Sequence, residues 1–182
     1  MQRMNETVIH IYSDASFSKQ TQTAVAGFLL FENDDSHMKN EASQPVHTRV
    51  FEEKNNIRAE LRGVILALEI LIEKLDAGAS VKNYPITLYT DCQSVVRLPS
   101  RRKGLESSDF ISKKTRKPLS NADLYKQFFT LYDKVAPDIF WVKGHCPKRG
   151  RTQIQRNFSC VDKTVRKMLR DACSRSHRSP SN

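Results

Sequence analysis

Four acidic residues stand where a reaction could use them: Asp14 in YSDAS, Glu60 in NNIRAEL, Asp91 in YTDCQ and Asp162 in SCVDK. Carboxylates gathered without matching Lys or Arg repel one another, and a bound divalent cation with oxygen ligands is the most direct relief. Two such ions, roughly 3.5–4 Å apart, can activate a water and stabilise a leaving oxygen, as phosphodiester hydrolysis requires. The expected cofactor is therefore Mg2+, two ions, with Mn2+ equally acceptable to carboxylate oxygens. Each acid also has a plainer role. An Asp after a strand is ordinary turn chemistry, a Glu at the start of a helix favours the dipole, and charges commonly flank an apolar stripe.

The elements that must position these acids follow from periodicity. Residues 7–13 (TVIHIYS) are rich in β-branched and aromatic types and predict a strand with Asp14 at its carboxyl end. Residues 24–31 and 46–51 predict two more, completing a three-strand antiparallel meander. Ile57, Leu61, Val64, Leu68, Leu71 and Leu75 then recur at helical spacing, with Asn55 or Asn56 available as the N-cap and Glu60 in the first turn. Pro85 introduces ITLYTD, a short strand ending in Asp91. A β-helix-β connection of this length favours a right-handed parallel crossover, which puts Asp14 and Asp91 at the same end of neighbouring strands.

A helix from Asn121 to about Val135, a strand over DIFWV and a last helix from Asn157 to Ala172 complete the pattern. Phe158, Val161, Val165, Met168 and Leu169 form that helix's apolar stripe, with Asp162 inside it. The predicted fold is α/β: a five-stranded mixed sheet, three antiparallel strands plus two parallel ones, flanked by helices.

At 182 residues the chain is the size of one domain. We assign 1–172 to it and 173–182, a polar Ser-rich segment, to a disordered tail. No secretory signal and no apolar run long enough to span a bilayer are present, so a cytoplasmic protein without membrane attachment is expected. The four cysteines form no C-x-x-C pair and are expected as reduced thiols, and His145, Cys146 and His177 fit no common zinc spacing. Residues 1–96 carry 9 Lys/Arg against 13 Asp/Glu, a balance of −4, whereas residues 97–182 carry 21 against 7, a balance of +14. Such a field draws polyanions and releases their counterions, though a solvated, solubilising surface is equally compatible. Its densest part, residues 97–117, has eight basic and two acidic residues and few apolar ones, and reads as an exposed basic protrusion.

Taken in order, YSDAS, NNIRAEL, YTDCQSVV, KPLSNADLY, WVKGH and VDKTVRKMLR resemble the type 1 ribonuclease H family over roughly residues 7–172. The resemblance implies a ribonuclease H-like fold and hydrolysis of the RNA strand of RNA/DNA hybrids, leaving 5′-phosphate and 3′-hydroxyl ends, by a monomer. It implies that Asp14 bridges both metals, that Glu60 and Asp91 serve the water-activating side, and that Asp162 completes the other site. His145, after WVKG, would assist proton transfer or product release, as suits an imidazole that titrates near neutrality. Asn56 and Gln93 would read minor-groove edges and ribose 2′-hydroxyls, and Asn121 would contact a phosphate. Helix capping accounts for Asn56 and Asn121 as well.

The chain departs from the family in three places. DASFSKQTQTAVAG replaces the glycine-rich turn after the first Asp, residues 97–117 lack the protrusion's tryptophans, and Asp162 lies one position further from Asn157 than is usual. Two alternatives remain at this stage: a nuclease of the same superfamily for another substrate, and a catalytically silent nucleic-acid-binding module.

Overall fold

The computed structural model describes residues 8–33, 44–76, 84–144, 147 and 149–176. Five strands, β1 (Val8–Ser18), β2 (Thr23–Asn33), β3 (His47–Glu52), β4 (Ile86–Thr90) and β5 (Asp138–Trp141), form one sheet in the order β3-β2-β1-β4-β5. The β1–β2 and β2–β3 pairs are antiparallel, and β1–β4 and β4–β5 are parallel. This is the mixed sheet that the residue pattern predicts.

The central strands β1 and β2 are buried on both faces, so they read as nearly continuous apolar runs whose alternate residues serve opposite cores. On β2, Phe28 and Leu30 face one core while Val25, Leu29 and Phe31 face the other. The first core is closed by α1 (Asn56–Asp76) and α4 (Ala122–Val135), the second by α5 (Gln153–Ser176). Leu61, Val64, Leu68, Leu71 and Leu75 of α1 are all buried as their spacing requires, but Ile57 is 38% exposed and packing starts at Ala59. Asn55 caps this helix, its Oδ1 accepting from the Arg58 N–H at 3.0 Å.

Small side chains bring the helices close to the sheet at the end where the acids lie. Ala59 packs on Ala15, Ala24 and Ala26. A Cβ on Gly63 would stand 2.8 Å from Ser13 Oγ, and one on Gly27 would stand 2.7 Å from Val165 Cγ1. Gly27 pairs with Asp14 across β1–β2, so the same glycine that lets α5 settle lies beside the first acid.

Two segments differ from the sequence reading. Residues 97–117 are not a bare protrusion: α2 (Gln93–Val96) leads into α3 (Leu98–Ser107), and Val95, Leu98, Leu105 and Phe110 are buried in the first core. Sparse apolar residues suffice because Leu98 and Leu105 stand two turns apart on one helical face. Arg102 of α3 forks onto Asp133 of α4 and lies over the Phe129 ring. The last helix starts earlier than Asn157, at Gln153, and runs through Ala172 to Ser176, so the first residues of the segment assigned to a tail are helical. The remainder of that segment, 177–182, lies outside the described residues. Among the described residues no helix is long and apolar enough to cross a membrane, and Cys92, Cys160 and Cys173 are free thiols.

Candidate metal centre

Pairing between β1 and β4 stops at Tyr12↔Tyr89. Asp14 therefore sits not at the end of β1, which continues to Ser18, but just past the last parallel pair. Asp91 follows the last residue of β4. Strand alternation puts Asp14 on the same face as Tyr12, toward α5.

Glu60 lies one turn inside α1 rather than in its first turn, which weakens the helix-dipole explanation and leaves its position to the Ala59 contact beneath. One carboxylate oxygen from each of Asp14, Glu60 and Asp91 lies within 4.8 Å of the others. Asp162 on α5 lines the same pocket, of about 420 Å³, together with Asn56 and Arg166.

Burial and mutual repulsion dominate the electrostatics. Asp14 is 4% exposed, and burial, then the charges of Asp91 and Asp162, push its carboxyl from an ordinary 3.8 up to about 8. Glu60, 5% exposed, is likewise pushed well up, by burial first and then by Asp14 and Asp91. Hydrogen bonds from the Asn56 side chain and the Ala15 backbone to Glu60 act the other way. Burial, with Glu60 nearby, also lifts the Cys92 thiol to about 11, which keeps it protonated and unreactive.

Oxygen-only donors, two of them buried and all mutually repelling, suit a hard divalent cation. The donor set thus fits Mg2+ or Mn2+, and its geometry is fixed from outside. Trp141 Nε1 donates to the Asp91 backbone carbonyl at 3.0 Å. A Cβ on Gly144 would fall 2.5 Å from Asp91 Oδ2, so this glycine leaves the carboxylate its space.

Asn56, free of capping because Asn55 does it, donates to Glu60 from one turn before. Gln93 is exposed at the start of α2 and accepts from Arg97 at 3.3 Å; its neighbours Asp91 and Cys92 line the carboxylate pocket, and Gln93 itself does not. Asn121 occupies the N-cap position of α4 without a side-chain capping bond; it is buried and donates to the Tyr125 hydroxyl at 3.3 Å. His145 lies outside the described residues, as do Cys146 and His177. Asp162 reaches the pocket despite its offset from Asn157, because Phe158, Val161 and Val165 anchor the adjacent face of α5. Asp171, the other acid of that helix, is exposed and away from the pocket.

Two arginines escape the sequence reading. Arg166 Nε pairs with Asp162 Oδ1 at 2.6 Å and brings a positive charge to the rim of the pocket. The helical spacing of the pair was the available signal. Arg58, within NNIRAEL, binds Glu53 at 2.5 Å, both Asp123 oxygens at 2.7 and 2.8 Å, and the Ser120 carbonyl at 2.8 Å. It ties the start of α1 to α4, and no local pattern announces that long-range fork.

A family model described as RNase H matches residues 6–169. Among characterised proteins, the chain is 27% identical over 150 residues to the ribonuclease H of Treponema denticola, covering 75% of this chain and 86% of that one. Among solved structures, the prototype foamy virus protease-reverse transcriptase matches at 18% identity with a TM-score of 0.62. The foamy viral protease-reverse transcriptase in complex with RNA/DNA hybrid matches at 15% and 0.61. Each match covers 92% of this chain, which spans only about a fifth of those longer proteins, 21% and 20% respectively. LC9-RNase H1, a type 1 RNase H with the type 2 active-site motif, matches at 17% identity and a TM-score of 0.63, over 90% of this chain and 72% of that one. At these identities the structural likeness is one of fold.

Proposed function

Since the chain belongs to the RNase H family, we propose that it is a metal-dependent endoribonuclease that cuts the RNA strand of RNA/DNA hybrids, acting as a monomer and leaving 5′-phosphate and 3′-hydroxyl ends. The observation that carries this reading is the convergence of Asp14, Glu60 and Asp91 oxygens within 4.8 Å, in a pocket that Asp162 completes. Asp14, reached from both sides, would be shared by two ions, with Glu60 and Asp91 holding one and Asp162 the other. When bound, the ions supply the positive charge that activates the attacking water and stabilises the leaving oxygen.

The chain's own residues do the positioning. Asn56 holds the Glu60 carboxylate by its side-chain amide, and Trp141 holds the Asp91 backbone. Arg166, at the rim, offers a fork for a phosphate oxygen once Asp162 is engaged. Asn56 and Gln93 are assigned to the minor groove, where the 2′-hydroxyl separates RNA from DNA, Asn121 to a phosphate, and His145 to proton transfer.

The test is cleavage of an end-labelled RNA/DNA hybrid beside single-stranded RNA, duplex RNA and duplex DNA, in Mg2+, Mn2+ or EDTA. Metal-dependent cutting confined to the RNA of the hybrid is expected, with loss in Asp91→Asn. Salt-sensitive binding without cutting in either metal would assign the chain to nucleic-acid binding alone.

A further inference from the structure

On the α5 face of the sheet, α5 packs on β1 and β2 but stops short of the β4–β5 edge. Tyr89 and its cross-strand partner Phe140 are left as the floor of an open groove of about 410 Å³. Trp141 and Lys143, with Ile154 and Gln155 of α5, also line it. Phe140, Trp141 and Ile154 are 52%, 49% and 37% exposed, a concentration of apolar surface on an edge strand that folding alone does not require.

The groove is continuous with the metal centre. A narrow cleft lined by Lys143 and Gln155, which also line the groove, reaches Asp91 and Asp162, which also line the carboxylate pocket. Among the described residues, Lys143 is the one charged side chain that lines the groove, and no carboxylate does. Flat aromatic faces beside a cation, leading out of a phosphodiester site, are the combination that holds unpaired nucleotides: bases stack on the rings and the backbone follows the positive charge.

We infer that this groove is a single-strand subsite, in which Phe140, beside Tyr89, stacks the unpaired bases of an RNA segment extending from the hybrid. The inference rests on the reading of the carboxylate pocket as the cleavage site. It adds a preference: hybrids with a single-stranded RNA extension bind better than blunt ones.

Trp141 is the only tryptophan in the chain and lines the groove, so its fluorescence responds to an occupant there, with the blunt hybrid as the baseline for its bond to the Asp91 carbonyl. The experiment titrates Asp14→Asn protein, which leaves the strand uncut, with a blunt hybrid and with the same hybrid carrying a short single-stranded RNA extension. The extended hybrid is expected to quench Trp141 more strongly and to bind roughly fivefold tighter or better, the effect of about one stacked base. Adding Phe140→Ala or Ile154→Ala removes that gain and leaves blunt-hybrid affinity unchanged. In the otherwise unaltered chain, the same substitutions leave cutting of the blunt hybrid intact, which shows that the variants fold.

Equal binding and quenching by blunt and extended hybrids would overturn the inference while leaving the cleavage reading standing. A gain that survives both substitutions would overturn it too, as would self-association abolished by Phe140→Ala, which would assign the groove to a second copy of the chain. No binding or cutting of any hybrid would instead remove the cleavage reading, and the subsite with it.

Discussion

Asp14, buried among like charges, carries an electrostatic load, and that load has a sign. In the unfolded chain its carboxyl ionises near 3.8, whereas the metal-free folded protein keeps the proton until about 8. Between those values the native state binds more protons than the unfolded one, so the Asp14 contribution to stability falls as pH rises. Asp14→Asn removes this effect. In EDTA the variant should melt above the parent by a margin that opens from about pH 4 to about pH 8 and closes below that range. Each kcal/mol of difference corresponds to about 2–4 °C in Tm for a chain of this size. Mg2+ should reverse the order by binding the parent far better, since a ligand that favours the folded state raises Tm in proportion to its affinity. Thermal melts across the pH range decide it, and a variant that melts no higher than the parent at about pH 8 would mean that burial and the neighbouring carboxylates do not disfavour the ionised Asp14.

At the scale of elements, what the sequence made legible were the periodic parts. Leu61 to Leu75 announced α1, and the β-branched runs ending near Asp14 and Asp91 announced strands whose parallel pairing brings those acids together. Less legible was how closely the helices approach the sheet, because that depends on what is missing from Ala15, Ala24, Ala26, Gly27, Ala59 and Gly63. A glycine inside a strand does signal close backbone approach, but only the fold reveals that α5 is what approaches Gly27. Long-range forks such as Arg58 to Asp123 and Arg102 to Asp133 leave no local trace, and α3 escaped notice because it packs through so few residues.

The Gly27 contact yields a prediction at the same scale. In Gly27→Ala the new methyl meets Val165 Cγ1 at 2.7 Å and the His47 carbonyl at 3.1 Å, so α5 must lift away from β1 and carry Asp162 from Asp14. Overpacking of this kind costs about 1–3 kcal/mol, and steady-state cleavage should fall at least about tenfold as the fourth carboxylate moves off. Val165→Ala in the same chain relieves the clash and should restore much of the cutting. If the double variant cuts no better than Gly27→Ala alone, α5 spacing is not what places Asp162.

For the whole molecule, charge is divided unevenly along the chain. The first half of the chain supplies Asp14, Glu60 and Asp91, while the second supplies Asp162 and 21 of the 30 Lys and Arg residues. The polypeptide beyond Asp91 turns at once into α2 and α3, and the exposed Lys113, Lys114, Arg116 and Lys117 follow around the left-handed residues Asp109, Phe110 and Arg116. Because Leu98, Leu105 and Phe110 root this segment in the core, its cations are held on a folded support. Each phosphate that such a support neutralises releases counterions, so affinity should fall linearly with salt on a log–log plot, with a slope of roughly 0.9 per phosphate neutralised. Replacing Lys113, Lys114 and Arg116 by Ala should therefore weaken hybrid binding most at low salt and flatten the slope by about one for each phosphate that no longer meets a cation. These cations lie outside the carboxylate pocket, so the turnover rate at saturating hybrid should stay close to that of the parent chain. Affinity measured across a salt series, beside turnover at saturation, separates the two roles. A slope unchanged by the triple replacement would mean that the hybrid is held by other parts of the basic half, and a fall in saturated turnover would mean that this segment positions the scissile strand as well as capturing it.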